Sequence, residues 1–425
     1  MSRTIEPNLA ILGGTPAFSE KLHVGRPNVG DKARLMGRIE DLFDRRWLTN
    51  NGPYVQAFER RVAEMTGTRH CVAMANGTIG LEIMIRAAGL KGEVIVPSFT
   101  FVATAHALQW QEIRPVFCDV DPDTHCLDPD RVEELITPST TGIIGVHLWG
   151  HPAAADRLQA IADRHGLQLM FDAAHAFGCA ATPDLDRPSE DRPRMLGSLG
   201  RAEVFSFHAT KVVNCFEGGA VTTDDSELAE TMRLMRNFGF AGKDQVDHVG
   251  SNGKMSEVSA AMGLTSLDAY EDFVEANRRN YVAYRRHLGA IDGLSIFPHD
   301  ESRPHNFHYV VFEVDERACG LDRDALVAVL EAENVLARRY FHPGTHRMEP
   351  YRSSQPQAHL VLPRTECLSQ RVMTLPTGGT ISEEDIRAIS EIVRRAIEAR
   401  TEVREALAGR APSGAAAPAL ASGRD

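Results

Sequence analysis

The sequence predicts an α/β protein in which a large, mostly parallel β-sheet is followed by a smaller α+β C-terminal domain. Between about residues 54 and 225, short apolar runs alternate with segments of helical periodicity. After Met255 this alternation stops and longer helical patterns begin. The chain has 425 residues, 43% of them hydrophobic, which is enough to bury the core of two such domains.

The large domain is predicted from apolar runs separated by helical segments. In the first helix, Val55, Phe58, Val62 and Met65 recur at the spacing of one helix face. The predicted strands are "CVAMA", "EVIVP", "PVFCDV", "GIIGVHL", "LQLMFDAA", "AEVFSF" and "GAVTTD". Strands that are apolar throughout are typical of a parallel sheet with helices on both faces.

The second domain is predicted from a long helical pattern, a strand "NFHYVVFEV" and a helix "DRDALVAVLEAENV". Ser382 and Asp385 form a predicted capping box at the start of the last helix. We therefore expect a large domain over residues 1–260, whose N-terminal segment is a candidate to pack on the small domain, and a small domain over residues 261–408. Residues 409–425 are rich in small residues and proline, which predicts a disordered tail.

Composition and charge exclude several classes of protein. The formal net charge is −12 at pH 7, which argues against nucleic acid as a partner because a phosphate backbone requires a basic surface. The sequence has neither an apolar stretch long enough to span a bilayer nor an apolar signal segment. The seven cysteines form no C-x-x-C pair and no zinc-binding spacing. We therefore expect a soluble, cytoplasmic protein with no membrane, nucleic-acid or metal partner.

Two helix starts that follow predicted strands carry groups able to bind a ligand. Asn76, Gly77 and Thr78 lie between "CVAMA" and the next helix, where backbone N–H groups and the helix dipole can bind a phosphate. An ordinary N-cap explains the same three residues. Phe101 follows "EVIVP", where its ring can stack on a flat cofactor or pack in the core.

Two further predicted strands end at or near residues that can take part in catalysis or in ligand binding. Asp172 ends "LQLMF", where an acidic residue can keep a pyridinium nitrogen protonated, and His175 lies one helical turn further on. Lys211 ends "SFHATK", where a lysine in a cleft can form an imine and move a proton. Ser206 and His208 in the same segment can bind a phosphate or a substrate. Each residue also has an ordinary structural interpretation: Asp172 as a helix cap and His175 as a core histidine. Ser206 and His208 would be turn residues, and Lys211 a solvated surface lysine.

The combination of these signals favours a chemical role over the separate alternatives. The carboxyl ends of parallel strands meet at one edge of a sheet, so the four sites are expected to lie together. An anion site, an aromatic ring, an acidic group and a lysine are what pyridoxal 5′-phosphate (PLP) requires for its phosphate, its ring, its ring nitrogen and its aldehyde.

The sequence resembles the DegT/DnrJ/EryC1/StrS family of sugar-nucleotide aminotransferases over about residues 9–400. The matching segments are "LAILGGTPAF", "LTNNGPYVQAFE", "ANGTIGLEIMI", "VPSFTFVATAHAL", "VHLWGHPA", "FDAAHAFG", "FSFHATKVVNCFEGGAVTTDD", "GSNGKMSEVSAAMGL" and "LPTGGTISEEDI". Of these, "FHATK" followed by "FEGG" is highly specific to the family. The resemblance implies the type I fold of PLP-dependent transferases, PLP as cofactor and a homodimer with shared active sites.

Carried over by position, the resemblance implies that Lys211 holds PLP as a Schiff base and that Asp172 pairs with the pyridine nitrogen. His175 would face the ring hydroxyl, where most relatives have glutamine, and Phe101 would stack on the ring. Asn252, in "GSNGKM", matches a residue that reaches the phosphate of the neighbouring subunit. The groups implied to hold the phosphate within the subunit are Gly77, Thr78, Ile79 and Ser206.

Within the family, "GGTPAF", "FSFHATKVVNCFEGG" and "RRYFHPGTHRMEPYRSS" most resemble enzymes that convert dTDP-4-keto-6-deoxyglucose and L-glutamate to dTDP-4-amino-4,6-dideoxyglucose. Such enzymes supply unusual sugars to secondary metabolites, antibiotics among them, or to surface glycans. The candidates for binding the nucleotide-sugar are His208, Arg338, His342 and His346. The stretch 337–352 is rich in arginine and histidine, which suits a diphosphate, and a solvated loop is its alternative interpretation.

Three alternative functions follow from the same sequence. A C3-specific sugar-nucleotide transaminase would share every motif. A PLP-dependent sugar dehydratase is disfavoured because dehydratases of the family replace the lysine by histidine, whereas Lys211 is present here. A relative that binds PLP without turnover is disfavoured because every catalytic position is filled.

Overall fold

The computed structural model describes residues 8–181 and 193–410. The tail expected over residues 409–425 lies outside the described residues from position 411 onward. The strands are β1 (Leu22–His23), β2 (His70–Met74), β3 (Glu93–Pro97), β4 (Arg114–Cys118), β5 (Thr140–Val146), β6 (Gln168–Asp172), β7 (Ala202–Ser206), β8 (Gly219–Thr223), β9 (Phe240–Gly242), β10 (Gln245–Val246), β11 (Leu294–Ile296), β12 (Val310–Val314), β13 (Val335–Leu336) and β14 (Val372–Leu375).

Helices account for most of the remaining described chain, and none of them is both long and apolar enough to cross a membrane. The α-helices are α1 (Lys32–Arg45), α2 (Pro53–Thr66), α3 (Gly77–Ala87), α4 (Ala103–Gln109), α5 (Pro129–Val132), α6 (Ala155–His165), α7 (Ser226–Met235), α8 (Glu257–Asp268), α9 (Tyr270–Leu288), α10 (Glu316–Cys319), α11 (Arg323–Ala332), α12 (Tyr351–Ser354), α13 (Pro363–Arg371), α14 (Glu383–Glu398) and α15 (Arg400–Arg410). Short 3₁₀ helices span Ala10–Leu12, Glu133–Leu135, Leu148–Gly150, Thr345–Arg347 and Ala358–Val361.

The large sheet has seven strands in the order β2-β8-β7-β6-β5-β3-β4. The five strands from β7 to β4 are parallel, and β8 is antiparallel to both of its neighbours. The predicted mostly parallel sheet is therefore confirmed. Its strands are apolar throughout because both faces are covered: in β6, Leu169 and Phe171 pack under α2, α6 and α8, whereas Met170 between them packs under α3, α4 and α7.

The smaller sheet is antiparallel, in the order β11-β12-β14, and it packs against helices that include α9, α11 and α14. The predicted capping box of α14 is present, with Ser382 and Asp385 each bonding the backbone of the other. The N-terminal segment packs on this part of the protein. Its Leu9, Ile11 and Phe18 join the same core, and β1 pairs in parallel with β13.

The boundary expected at residue 260 falls inside α8. The core under one face of the large sheet continues through Leu264 and Tyr270 to Phe297, Tyr309 and Leu368. The two sheets therefore meet along a shared apolar surface, with the site described below beside it.

The predicted strand over residues 306–314 was wrong for its first four residues, because β12 begins only at Val310. Phe307 has a φ of 46°, which no strand residue adopts. Buried Asn306 instead binds backbone carbonyls of the loop that follows β6. These side-chain hydrogen bonds replace the pairing of a strand and direct the segment inward.

Candidate active site

Two of the strand ends predicted to carry function, those of β6 and β7, border one cleft. β2, β3, β6 and β7 lie within the large sheet, and each is followed at its carboxyl end by one of the candidate groups. The cleft beside β6 and β7 is lined by Ala174, His175, Phe177, Ser206, Lys211, Val212, Val213 and His308. Crevices at this edge of an open α/β sheet are where such proteins bind ligands.

The first turn of α3 forms a cradle for an anion together with the end of β7. Asn76 caps the helix by accepting a hydrogen bond from the Ile79 backbone N–H at 2.9 Å. A Cβ atom on Gly77 would lie 3.1 Å from Cβ of Ser206, so the helix start and this serine are in close contact. The Ser206 hydroxyl accepts from the His208 N–H at 3.4 Å, which leaves its own proton to be donated. The remaining N–H groups of the first turn have no partner within the helix.

Asp172 is buried at the end of β6 and both of its carboxylate oxygens are held. Oδ2 accepts from the Thr104 hydroxyl at 2.8 Å, and Oδ1 accepts from the Ala174 N–H at 3.0 Å. Burial raises the pKa of this carboxyl above its ordinary value, and the two hydrogen bonds together with the charge of Lys211 oppose that rise. The side chain is therefore fixed in orientation and is supported as an anion by its neighbours.

His175 lies three residues beyond Asp172, with its ring packed against aromatic rings. Its centroid is 4.4 Å from that of Tyr309, and it stacks on Trp149 at 5.7 Å. Nδ1 accepts from the Trp149 backbone N–H at 3.4 Å, so the proton of the neutral ring belongs on Nε2. Burial, assisted by the charge of Lys211, lowers the pKa of His175 well below its ordinary value, which keeps the ring neutral.

Lys211 lies in the loop after β7, with its amine inside the cleft. Nζ donates to the Tyr309 hydroxyl at 3.2 Å. Burial lowers the pKa of the amine to about 8, and the negative charge of Asp172 opposes part of this change. A lysine with such a pKa provides a reactive neutral amine near neutral pH, which a solvated lysine does not.

Three other candidates are more exposed. Phe101, which precedes α4, is 57% exposed. Asn252 is exposed beside the hairpin of β9 and β10, where it pairs with Asn237. His208 is also partly exposed, and its Nδ1 lies 2.9 Å from the Thr210 hydroxyl. The stacking role of Phe101, the intersubunit role of Asn252 and the ligand role of His208 stay predictions.

The candidates from the stretch 337–352 differ in their surroundings. Arg338 is exposed, and its backbone pairs with that of Thr374. His342 is exposed, and its Nδ1 donates to the Ser369 carbonyl at 3.2 Å. His346 is buried, with its Nδ1 2.7 Å from the Ser98 hydroxyl and its Nε2 2.5 Å from a Glu366 oxygen. Since both ring nitrogens of His346 are engaged, any substrate contact of this residue would displace one of these bonds.

The structure adds site residues that the sequence interpretation missed. Thr104 and Trp149 support Asp172 and His175, whereas His308 and Tyr309 contact the lysine loop. Tyr340 also lies close enough to influence the charge of Lys211. The signal for His308 and Tyr309 was present as polar groups in "NFHYVVFEV", but the segment was interpreted as a strand.

Comparison with known proteins relates this chain to aminotransferases. A sequence model of the DegT/DnrJ/EryC1/StrS aminotransferase family matches residues 30–394. The chain is 35% identical to a dTDP-4-amino-4,6-dideoxy-D-glucose transaminase of Shigella dysenteriae, over 89% of this chain and 99% of that protein. It is 32% identical to a transaminase of the same name from Escherichia coli, over 87% of this chain and 97% of that protein. Among solved structures, DesI in the presence of its TDP-sugar product matches with a TM-score of 0.87 and 51% identity, covering 93% of this chain and 98% of that one.

Proposed function

We propose that this chain, which belongs to the DegT/DnrJ/EryC1/StrS aminotransferase family, uses PLP to transfer an amino group from L-glutamate to C4 of dTDP-4-keto-6-deoxyglucose. The products are dTDP-4-amino-4,6-dideoxyglucose and 2-oxoglutarate. The observation that carries the proposal is the position of the Lys211 amine, buried in a cleft with Asp172 and His175 on the neighbouring strand end. The names of the two transaminases and the TDP-sugar product of DesI support the sugar substrate.

The residues of the cleft fit the functional groups of PLP. The first turn of α3 and the Ser206 hydroxyl supply donors for a phosphate. The Asp172 carboxylate suits a protonated ring nitrogen, the His175 Nε2–H suits the ring hydroxyl, and Lys211 suits the aldehyde. When bound, PLP supplies an electron sink that stabilises negative charge on the carbon from which a proton is removed.

Asp172 has a defined electrostatic task in this proposal. Its two oxygens are held by Thr104 and by the Ala174 N–H, so the carboxylate can face the ring nitrogen without rearrangement. A negative charge at this point keeps a proton on that nitrogen. Preorganisation of this kind avoids the cost of orienting the group during the reaction.

Lys211 has two tasks. Its neutral amine would hold the PLP aldehyde in the absence of substrate, and the free amine would accept a proton at Nζ and return it to a neighbouring carbon. A pKa of about 8 suits both, because neither the neutral nor the charged form is strongly favoured near neutral pH. The shared apolar surface between the two sheets borders the cleft and limits the access of water.

We also propose that the active unit is a homodimer in which Asn252 serves the partner's site. In the single chain the segment around β9 and β10 exposes Phe238, Phe240, Val246 and Val249, with exposed fractions from 42% to 79%. Clustered apolar side chains of this size on a protein surface indicate an interface. Asn252 closes the same segment, so a partner that covers the hairpin would also bring its own site near Asn252.

The test of the sugar assignment is to offer the 4-keto and 3-keto isomers of the dTDP-sugar separately, with L-glutamate, and to identify products by NMR. We expect the 4-amino sugar and one 2-oxoglutarate for each sugar consumed. Preferential use of the 3-keto isomer would overturn the C4 assignment. Sugar conversion without consumption of glutamate would identify a dehydratase, and no conversion of either sugar would identify a non-catalytic relative.

A further inference from the structure

Residues 306–309, which precede β12, cross from the smaller sheet into the cleft. Asn306, Phe307, His308 and Tyr309 are all buried. Phe307 has a positive φ of 46°, a conformation that bulky residues rarely adopt and that surrounding contacts must maintain. The segment therefore has a fixed and unusual shape at the point where it meets the site.

One end of this segment binds the loop that follows Asp172 and carries His175. The Asn306 side-chain amide donates to the His175 carbonyl at 2.9 Å and to the Phe177 carbonyl at 3.0 Å. The side-chain oxygen of Asn306, Oδ1, accepts from the His308 N–H at 3.0 Å. All the hydrogen-bonding groups of this side chain are thus used within the site.

The other end binds the loop that carries Lys211. The His308 Nε2–H donates to the Thr210 carbonyl at 2.8 Å, and the Tyr309 hydroxyl lies 3.2 Å from the Lys211 amine. Burial, together with the charge of Lys211, lowers the pKa of His308 to about 3, which keeps it a neutral donor beside the lysine. Burial raises the pKa of Tyr309, so its hydroxyl keeps its proton.

We propose that residues 306–309 form a clamp that sets the distance between the His175 loop, which follows Asp172, and the Lys211 loop, with Tyr309 as the positioning residue for the Lys211 amine. The proposal rests on the assignment of Lys211 as the PLP lysine, made above. The clamp leads into β12 of the smaller sheet, whereas Asp172 ends β6 and Lys211 follows β7 of the large sheet. The placement of the smaller sheet thereby controls the geometry of the reacting amine.

The hydroxyl of Tyr309 affects the amine in both of its charge states. It accepts a hydrogen bond from the ammonium form, and it can donate one to the neutral form. The bond to the charged form is the stronger of the two. Loss of the hydroxyl should therefore shift the titration of Lys211 to lower pH, and it should also leave the neutral amine less well oriented.

The test compares Tyr309→Phe with Tyr284→Phe, which removes an equally buried hydroxyl that is bonded to the Pro376 carbonyl at 2.9 Å, away from Lys211. PLP is removed from the full-length protein and added back, and its capture is followed by absorbance across pH. Capture joins the Lys211 nitrogen to the PLP aldehyde carbon and releases one water. We expect Tyr309→Phe to lower the rate constant at the high-pH plateau by about tenfold and to shift the midpoint to lower pH, and we expect Tyr284→Phe to change neither.

A second pair of variants tests the hydrogen bond between His308 and the Thr210 carbonyl. His308→Gln keeps a donor that can reach the Thr210 carbonyl, whereas His308→Leu does not. We expect slow capture in His308→Leu and partial recovery in His308→Gln. An unchanged plateau and midpoint in Tyr309→Phe would overturn the clamp, whatever the result at His308. Capture needs no sugar, so an error in the sugar assignment leaves this test intact.

Discussion

At the scale of single residues, the candidate site contains groups whose pKa values are shifted by burial. Asp172 and Lys211 each lose solvation in the cleft, and each is partly stabilised by the other. Neither pKa follows from the sequence, because a shift depends on which groups burial brings together. The sequence does identify both residues as chemically useful, since each follows an apolar strand.

The first prediction concerns the pH dependence of PLP capture by the cofactor-free protein. Only the neutral amine of Lys211 can attack the aldehyde, and its pKa is about 8. Capture should therefore slow as the pH falls below 8 and level off above it. At pH 6.5 the rate constant should be about 30-fold below the plateau, since each pH unit below the pKa is a factor of about ten. Stopped-flow absorbance would measure it, and a midpoint near 10.5, the ordinary lysine value, would contradict it.

The second prediction concerns Thr104→Val, which removes the hydroxyl that donates to Asp172. A hydrogen bond to a charged group contributes about 1.5–3 kcal/mol, so turnover should fall about tenfold or more. The hydroxyl lowers the pKa of Asp172, so its removal should raise that pKa and make the loss larger as the pH falls. Thr104→Ser is the matched control and should keep most of the turnover. Steady-state turnover of the wild type, Thr104→Val and Thr104→Ser, measured between pH 6 and 9, tests this prediction.

At the scale of secondary-structure elements, the sequence predicts strands better than the segments that enter the site. The strands of the large sheet are recognisable because burial on both faces leaves them continuously apolar. Residues 306–309 lead directly into the apolar strand β12, yet they are not a strand, because Asn306 and His308 bond to loops distant in sequence. Strand propensity does not depend on such distant partners, which explains why the sequence predicts Tyr309 in a strand and does not identify it as a candidate site residue.

The third prediction concerns the start of α3. A Cβ atom at Gly77 would approach Cβ of Ser206 to 3.1 Å, so Gly77→Ala should push these two parts of the phosphate cradle apart. Overpacking costs about 1–3 kcal/mol, and the Kd for PLP should rise about 10-fold to 100-fold. Gly37→Ala is the control, because Gly37 also lies in a helix but has no neighbour within 4 Å of its Cβ position. Equilibrium titration with PLP would measure both, and equal Kd values would show that Gly77 does not limit the cradle.

At the scale of the whole molecule, one chain does not supply every proposed part of the site. The exposed apolar hairpin and the exposed Asn252 are the observations that support the proposed homodimer. The sequence predicted a second subunit only through its resemblance to the family, because the residues of one chain do not show what covers an apolar surface.

The fourth prediction uses mixed dimers of two defective proteins, Lys211→Ala and Asn252→Ala. If Asn252 serves the partner's cofactor, the mixed dimer has one site with both defects and one intact site. Mixing should then restore turnover at limiting PLP, up to about half of the wild-type value per mixed dimer in a twofold-symmetric assembly. If Asn252 served its own chain, every site would keep one defect and mixing would restore nothing. Analytical ultracentrifugation should show that Asn252→Ala remains dimeric.

The pairing of the N-terminal segment with β13 has a consequence for the order in which the protein folds during its synthesis on the ribosome. The Ala10 N–H donates to Glu333, 323 residues away in sequence, and β1 cannot pair until β13 has been synthesised. The chain that follows β1 then runs beside the lysine loop, where Asn28 donates to the Val212 carbonyl at 3.2 Å. Contacts between such distant parts form late, after the domain-sized units made earlier. Lys211 is therefore synthesised long before its surroundings are in place, and its amine acquires its final setting only after β12 and β13 have been made.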